Sequence, residues 1–135
     1  MKIRMFISLL ALPLLFSFIA IQSYSQDKGK WVVPEKYKTM KNPLAGDASS
    51  VDLGKDLYAR YCKACHGKTG LGDGPKATSL GTSCGNFTTK EFKAQPDGVI
   101  FYMITYGKDK MPGFSKPLPE DNDRWALVNY MKTLK

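Results

Sequence analysis

Histidine is all but missing from this sequence: His66 is the single one among 135 residues. That leaves little scope for acid–base catalysis through imidazole, and no Ser/His/Asp set or pair of carboxylates stands out in its place. Cysteine is scarce too. The three present cannot all pair with one another, and Cys62 and Cys65 lie three apart, so a disulfide framework does not account for the chain. No cysteine precedes Cys62, which excludes a lipidated cysteine near the N-terminus. Lys and Arg total 20 against 12 acidic residues, yet no basic run reaches five. The formal charge of +8 is therefore scattered, which argues against a nucleic-acid stripe and for an acidic protein partner. Apolar alternation with period two is also absent, so strands are not expected.

What the sequence does contain begins with an export segment. Lys2 and Arg4 form a basic start, Met5 to Ile21 an apolar stretch, and Ser23-Tyr24-Ser25 a small-residue cleavage site. Residues 1–25 are expected to be a signal peptide. The alternative is an uncleaved anchor through residues 5–21, an apolar stretch just short of the roughly 20 residues that span a bilayer comfortably. Removal of Lys2 and Arg4 leaves 18 basic against 12 acidic residues, a mature charge of +6. Residues 26–50, carrying Trp31-Val32-Val33-Pro34 and Asn42-Pro43-Leu44, read as an extended arm. Residues 51–135 read as one folded domain; 24% charged and 12% aromatic residues are ordinary for a globular body.

Three helices are predicted in that domain. The first runs from about Val51 to Lys63, with Leu53, Leu57, Tyr58 and Tyr61 at helical spacing and Ser50 or Asp52 as its cap. The second spans Asp97 to Tyr106, after Pro96 and before Gly107. The third runs from Pro119 to Leu134, with proline suited to the first helical position and Glu120, Asp121 and Asp123 near the positive end of the dipole. Between the first two lies a Gly-rich segment from Gly67 to Glu91. A loop of that length in a small domain is expected only where it wraps something functional.

Cys62-Lys63-Ala64-Cys65-His66 supplies a reason. Two thiols three residues apart on one turn can reach the two vinyl groups of one porphyrin, and the next residue is then held beneath the iron. Covalent haem c through Cys62 and Cys65, with His66 as one axial ligand, is the reading that uses every residue of the pattern. A thioredoxin-like pair would follow a strand in a mixed sheet. A zinc site drawing on Cys62, Cys65, Cys84 and His66 would need adjacent residues to share one tetrahedral ion. The free ring nitrogen of His66 needs an acceptor, and the Pro75 carbonyl after Gly70-Leu71-Gly72-Asp73-Gly74 is the candidate. For the opposite face of the iron, Met111 is chosen because it sits in a loop before Pro112, whereas Met103 and Met131 lie on apolar helix faces; Met40 is the runner-up. A thioether ligand favours reduced iron and raises its potential. Cys84 then has no internal partner and is read as a small buried hydrophobe, with an intermolecular disulfide or reactive thiol as the alternative.

These residues, with Gly72-Asp73-Gly74-Pro75, Ile104-Thr105-Tyr106-Gly107, Met111-Pro112-Gly113-Phe114 and Trp125-Ala126-Leu127-Val128-Asn129-Tyr130 in that order, resemble class I c-type cytochromes from Trp31 to the C-terminus. The resemblance implies a monohaem, bacterial, exported protein with an all-α fold, three main helices and long loops wrapped around one covalently bound haem. It also implies that the first and last helices cross, with Gly54 and Tyr58 on one side and Leu127 and Tyr130 on the other. The arm from Trp31 to Leu44 is similar to that of a bacterial subgroup. The implied role is electron transfer rather than enzymatic turnover, in the periplasm or another extracytoplasmic place. Redox protein partners, acidic at the docking surface, would meet Lys63, Lys68, Lys76, Lys108, Lys110 and Lys116. A haem-based sensor or peroxidase-like protein with an open sixth site is the second reading.

Overall fold

Asp47 starts the first long helix by accepting a hydrogen bond from the Ser49 amide at 2.9 Å, which satisfies one of the amides left over at a helix start. The computed structural model describes residues 30–135. The expected signal or anchor over 1–25, with its tether segment 5–21, and the first arm residues 26–29 lie outside the described residues. The chain forms α1 (Glu35–Lys38), α2 (Ala48–Tyr61), α3 (Lys63–His66), α4 (Pro75–Leu80), α5 (Lys90–Ala94), α6 (Asp97–Tyr106) and α7 (Asp121–Thr133). Among the described residues there is no strand, only an isolated bridge between Lys108 and Met111. The all-α expectation is met.

The expected second helix and α6 share the same bounds. The first begins at Ala48 rather than Val51, because the cap is Asp47 and not Ser50 or Asp52. The third begins at Asp121, and Pro119 does not take its first position. The carbonyls of Leu118 and Pro119 are turned instead to the guanidinium of the buried Arg124, whose Nη1 lies 3.2 Å from the Pro119 oxygen. Within the 26–50 segment, Trp31 to Pro34 is not helical, but Glu35–Lys38 forms the single turn α1.

Helices α2 and α7 cross at Gly54. A Cβ there would overlap the Ala126 carbonyl oxygen and stand 2.8 Å from the Tyr130 Cβ, so only glycine lets the backbones approach this closely. Tyr58 and Tyr130 pack beside the crossing, with ring centroids 5.3 Å apart. The atoms nearest Gly54 belong to Ala126 and Tyr130, and Leu127 is fully buried in the core. Helix α6 packs on the same core, with Phe101 stacked on Trp125 at 4.1 Å and Ile100 almost fully buried.

A polar staple joins the arm to the helices. Asn42 Nδ2 donates to Asp97 at 2.9 Å and to Asn129 Oδ1 at 2.7 Å, while Asn129 Nδ2 donates to the Leu44 carbonyl at 2.7 Å and Ser50 Oγ at 2.6 Å. Lys132 completes it, 2.5 Å from Asp97. Burial pushes the Asp97 carboxyl up, but hydrogen bonds from Lys132 and Asn42 and the charge of Lys132 outweigh it and hold the group below the usual carboxylate range. A depressed folded-state pKa adds stability above the unfolded value of about 3.9, and that share is lost as pH falls through the folded value. Acid unfolding of Asp97→Asn followed by circular dichroism is therefore expected to show a shallower loss of stability below about pH 4 than the parent. An unchanged acid slope would remove Asp97 from the staple.

Candidate functional site

Helix α2 breaks at Cys62, and the next turn, α3, carries the rest of the motif. The Cys62 amide still donates to Tyr58 O at 2.9 Å, and the Cys65 and His66 amides donate to Cys62 O at 3.1 and 2.9 Å. Cys62, Cys65 and His66 are thereby gathered within one helical turn. Tyr58, buried in the α2–α7 contact, donates its hydroxyl to the Gly67 carbonyl at 2.8 Å and so fixes the chain just past His66. Burial raises the Tyr58 phenol far above its ordinary value, so this donor stays protonated.

The glycine loop folds back under the turn. The Gly72 amide donates to His66 O at 2.9 Å and the Gly74 amide to Cys65 O at 3.1 Å. Pro75, at the first position of α4, is therefore beside the motif, as the sequence suggests. The hydrogen bond expected from its carbonyl is not made. Nδ1 of His66 is buried and has no partner. The Phe87 ring lies 4.6 Å from the His66 ring, tilted by 30°, and Phe92 stacks behind it at 4.6 Å. The Phe87 amide donates to Gly70 O at 2.7 Å, so both ends of the loop converge on the histidine. Sequence reading missed Phe87; its only signal is an isolated aromatic closing a polar stretch.

The charge states suit the motif. Burial lowers the His66 pKa, opposed by the Cys84 backbone that touches the ring, so the imidazole is neutral with a lone pair to offer. Burial, with the neighbouring Cys65, pushes the Cys62 thiol up to about 12. Cys84 is half-buried, and its thiol is raised by burial and then by Cys65. Among the described residues no group of three His, Cys, Asp or Glu side chains is placed to hold a metal ion.

Met111 is half-buried on the hairpin after α6. Three residues on, Phe114 packs edge-on against Tyr61, next to Cys62, at 6.1 Å, which ties this hairpin to the cysteine turn. Met40 packs instead at the start of α6, where a Cβ on Gly98 would lie 2.8 Å from its own Cβ. Met131 is buried in the core.

The residues fit a haem. A half-buried imidazole whose buried Nδ1 no protein group uses, on one turn with two free thiols, is a donor set that a covalently attached iron porphyrin completes. No helix among the described residues is long and apolar enough to cross a membrane.

Comparison with known proteins points the same way. Residues 49–131 match the family model of cytochrome c oxidase, cbb3-type, subunit III. Among solved structures, the chain is similar to one in the Kuenenia stuttgartiensis reducing HAO-like protein complex Kustc0457/Kustc0458. That match has 30% identity and a TM-score of 0.60 over 70% of this chain and 49% of the other. A second similar structure is the KustC0563 c-type cytochrome, with 30% identity and a TM-score of 0.52 over 61% of this chain and 96% of that one. The chain thus spans about half of the first neighbour and nearly all of the second. No curated protein sequence matches it.

Proposed function

This chain belongs to the family of the cbb3-type cytochrome c oxidase subunit III and is a class I c-type cytochrome; on that premise we propose that it is an exported electron carrier with no catalytic turnover of its own. The observation that carries this reading is the buried, unpartnered Nδ1 of His66 on one turn with Cys62 and Cys65. Haem c, when bound, supplies a one-electron cycle between ferrous and ferric iron. Cys62 and Cys65 hold the group covalently, so a domain this small keeps it after export. His66 and Met111 would hold the iron, and the Pro75 carbonyl, which lies beside the motif without bonding His66 here, would accept from the ring nitrogen left over once the haem is bound. Phe87 keeps the His66 ring from turning.

The basic surface suits acidic redox partners outside the cytoplasm. Lys63, Lys68, Lys76, Lys110 and Lys116 are exposed, Lys108 is half-buried against Trp31, and Lys110 donates to the Leu80 carbonyl. The similar chain from a multi-protein redox complex supports association with other redox proteins. Residues 1–25 act as the export signal, and 5–21 as a tether if they are retained. Stopped-flow electron exchange with an acidic redox protein tests the docking face: charge steering predicts an on-rate falling by about tenfold or more between low and physiological salt. A flat salt response would remove the lysines from partner recognition.

A further inference from the structure

The chain between α6 and Phe114 makes a tight hairpin around Met111. Lys108 and Met111 exchange two backbone hydrogen bonds of 2.9 Å, with Asp109 in the left-handed region at φ 53°. Gly107, at φ 65°, lies so close that a Cβ would overlap the Met111 carbonyl oxygen and come within 2.5 Å of the Gly113 nitrogen. The Phe114 and Ser115 amides donate to the carbonyls of Ile104 and Thr105 at 2.9 and 3.3 Å. The inner side of the hairpin is therefore fixed by α6.

Its outer side meets the N-terminal arm. The hydroxyls of Tyr37 and Tyr106 are 2.6 Å apart, and the Tyr37 ring packs on Tyr102 at 4.8 Å and on Tyr106 at 5.9 Å. The Lys108 ammonium sits 5.9 Å from the centre of the Trp31 ring. The contacts fall on Tyr106, two residues before Lys108, and on Lys108 itself. Tyr37 is 6% exposed and Tyr106 54%, so the bond runs from the core to the surface. An arm that served only to cover apolar surface would need no hydroxyl at 37, since phenylalanine packs as well.

We propose that the arm is a strap that holds the Met111 hairpin closed, with Tyr37 as the positioning residue for the sixth iron ligand. This deepens the reading of Met111 as that ligand and rests on it. The hydroxyl bond ties the arm to the last residue of α6, from which the hairpin departs, and the Trp31–Lys108 contact ties it to the hairpin itself.

The test uses the haem-loaded full chain in the ferric state. Imidazole displaces a thioether only when the hairpin opens, and the displacement is read from loss of the weak far-red band of thioether-ligated ferric iron. Tyr37→Phe and Tyr106→Phe are each expected to raise the apparent imidazole affinity about fivefold, the size of one lost neutral hydrogen bond. Val128→Ala, a truncation of a core residue of α7 that makes no part of the proposed strap, is expected to lower the thermal midpoint while leaving that affinity within about twofold. Affinities for both tyrosine variants within twofold of the parent would overturn the strap, as would an equal shift in Val128→Ala. A parent protein with no far-red band would overturn the Met111 reading itself, a result distinguishable from the other two.

Discussion

Gly54→Ala is expected to cost this protein about 3 kcal/mol or more of unfolding free energy, and Gly54→Val to prevent folding. Replacing glycine by alanine inside a helix ordinarily adds up to about 1 kcal/mol. Here the added methyl would overlap the Ala126 carbonyl oxygen and sit 2.6 Å from its carbon. A backbone carbonyl in the middle of α7 cannot step aside as a flexible side chain could. The two helices must separate, and Tyr58, Leu127 and Val128 lose their packing together. Because total stability is only about 5–15 kcal/mol, the larger valine exceeds what the fold can absorb. Denaturant unfolding of the haem-loaded protein measures this. A Gly54→Ala variant as stable as the parent would show that the crossing is looser than the geometry indicates.

The second large effect concerns the thiols. Exchanging both Cys62 and Cys65 for serine is expected to abolish covalent haem, whereas Cys84→Ser keeps it. All three cysteines are free, and Cys65 influences the thiols of both Cys62 and Cys84, so proximity does not separate their roles. Position does. Cys62 and Cys65 share a turn with His66, while Cys84 reaches the histidine ring by its backbone. Haem staining of a denaturing gel distinguishes the variants. Haem retained by the double serine variant would refute attachment at this motif.

Much of this was legible in the sequence, for reasons that can be stated locally. Pro96 and Gly107 bracket α6 because proline ends what precedes it and glycine takes the left-handed φ of 65° that stops it. The cysteine turn is legible because its chemistry lies in five consecutive residues. The short helices α1, α4 and α5 were not, since four to six residues complete too few turns for periodicity to register. The start of α7 was misread because Arg124, five residues further along, competes for the Pro119 carbonyl. Ala126 at the crossing, Phe87 on His66 and Tyr37 against Tyr106 all pair residues that the chain brings together from a distance, and no local pattern encodes them. The expected Pro75–His66 hydrogen bond was read from neighbourhood alone, and neighbourhood is what the structure provides.

One haem bonded to this chain through its cysteine turn underlies the electron-carrier role. Intact mass measured on the denatured protein, after expression with a haem-attachment system, tests it most directly. Attachment through both thiols gives a mass equal to the polypeptide plus a single haem. A population at the bare polypeptide mass, with all three thiols open to alkylation, would contradict it.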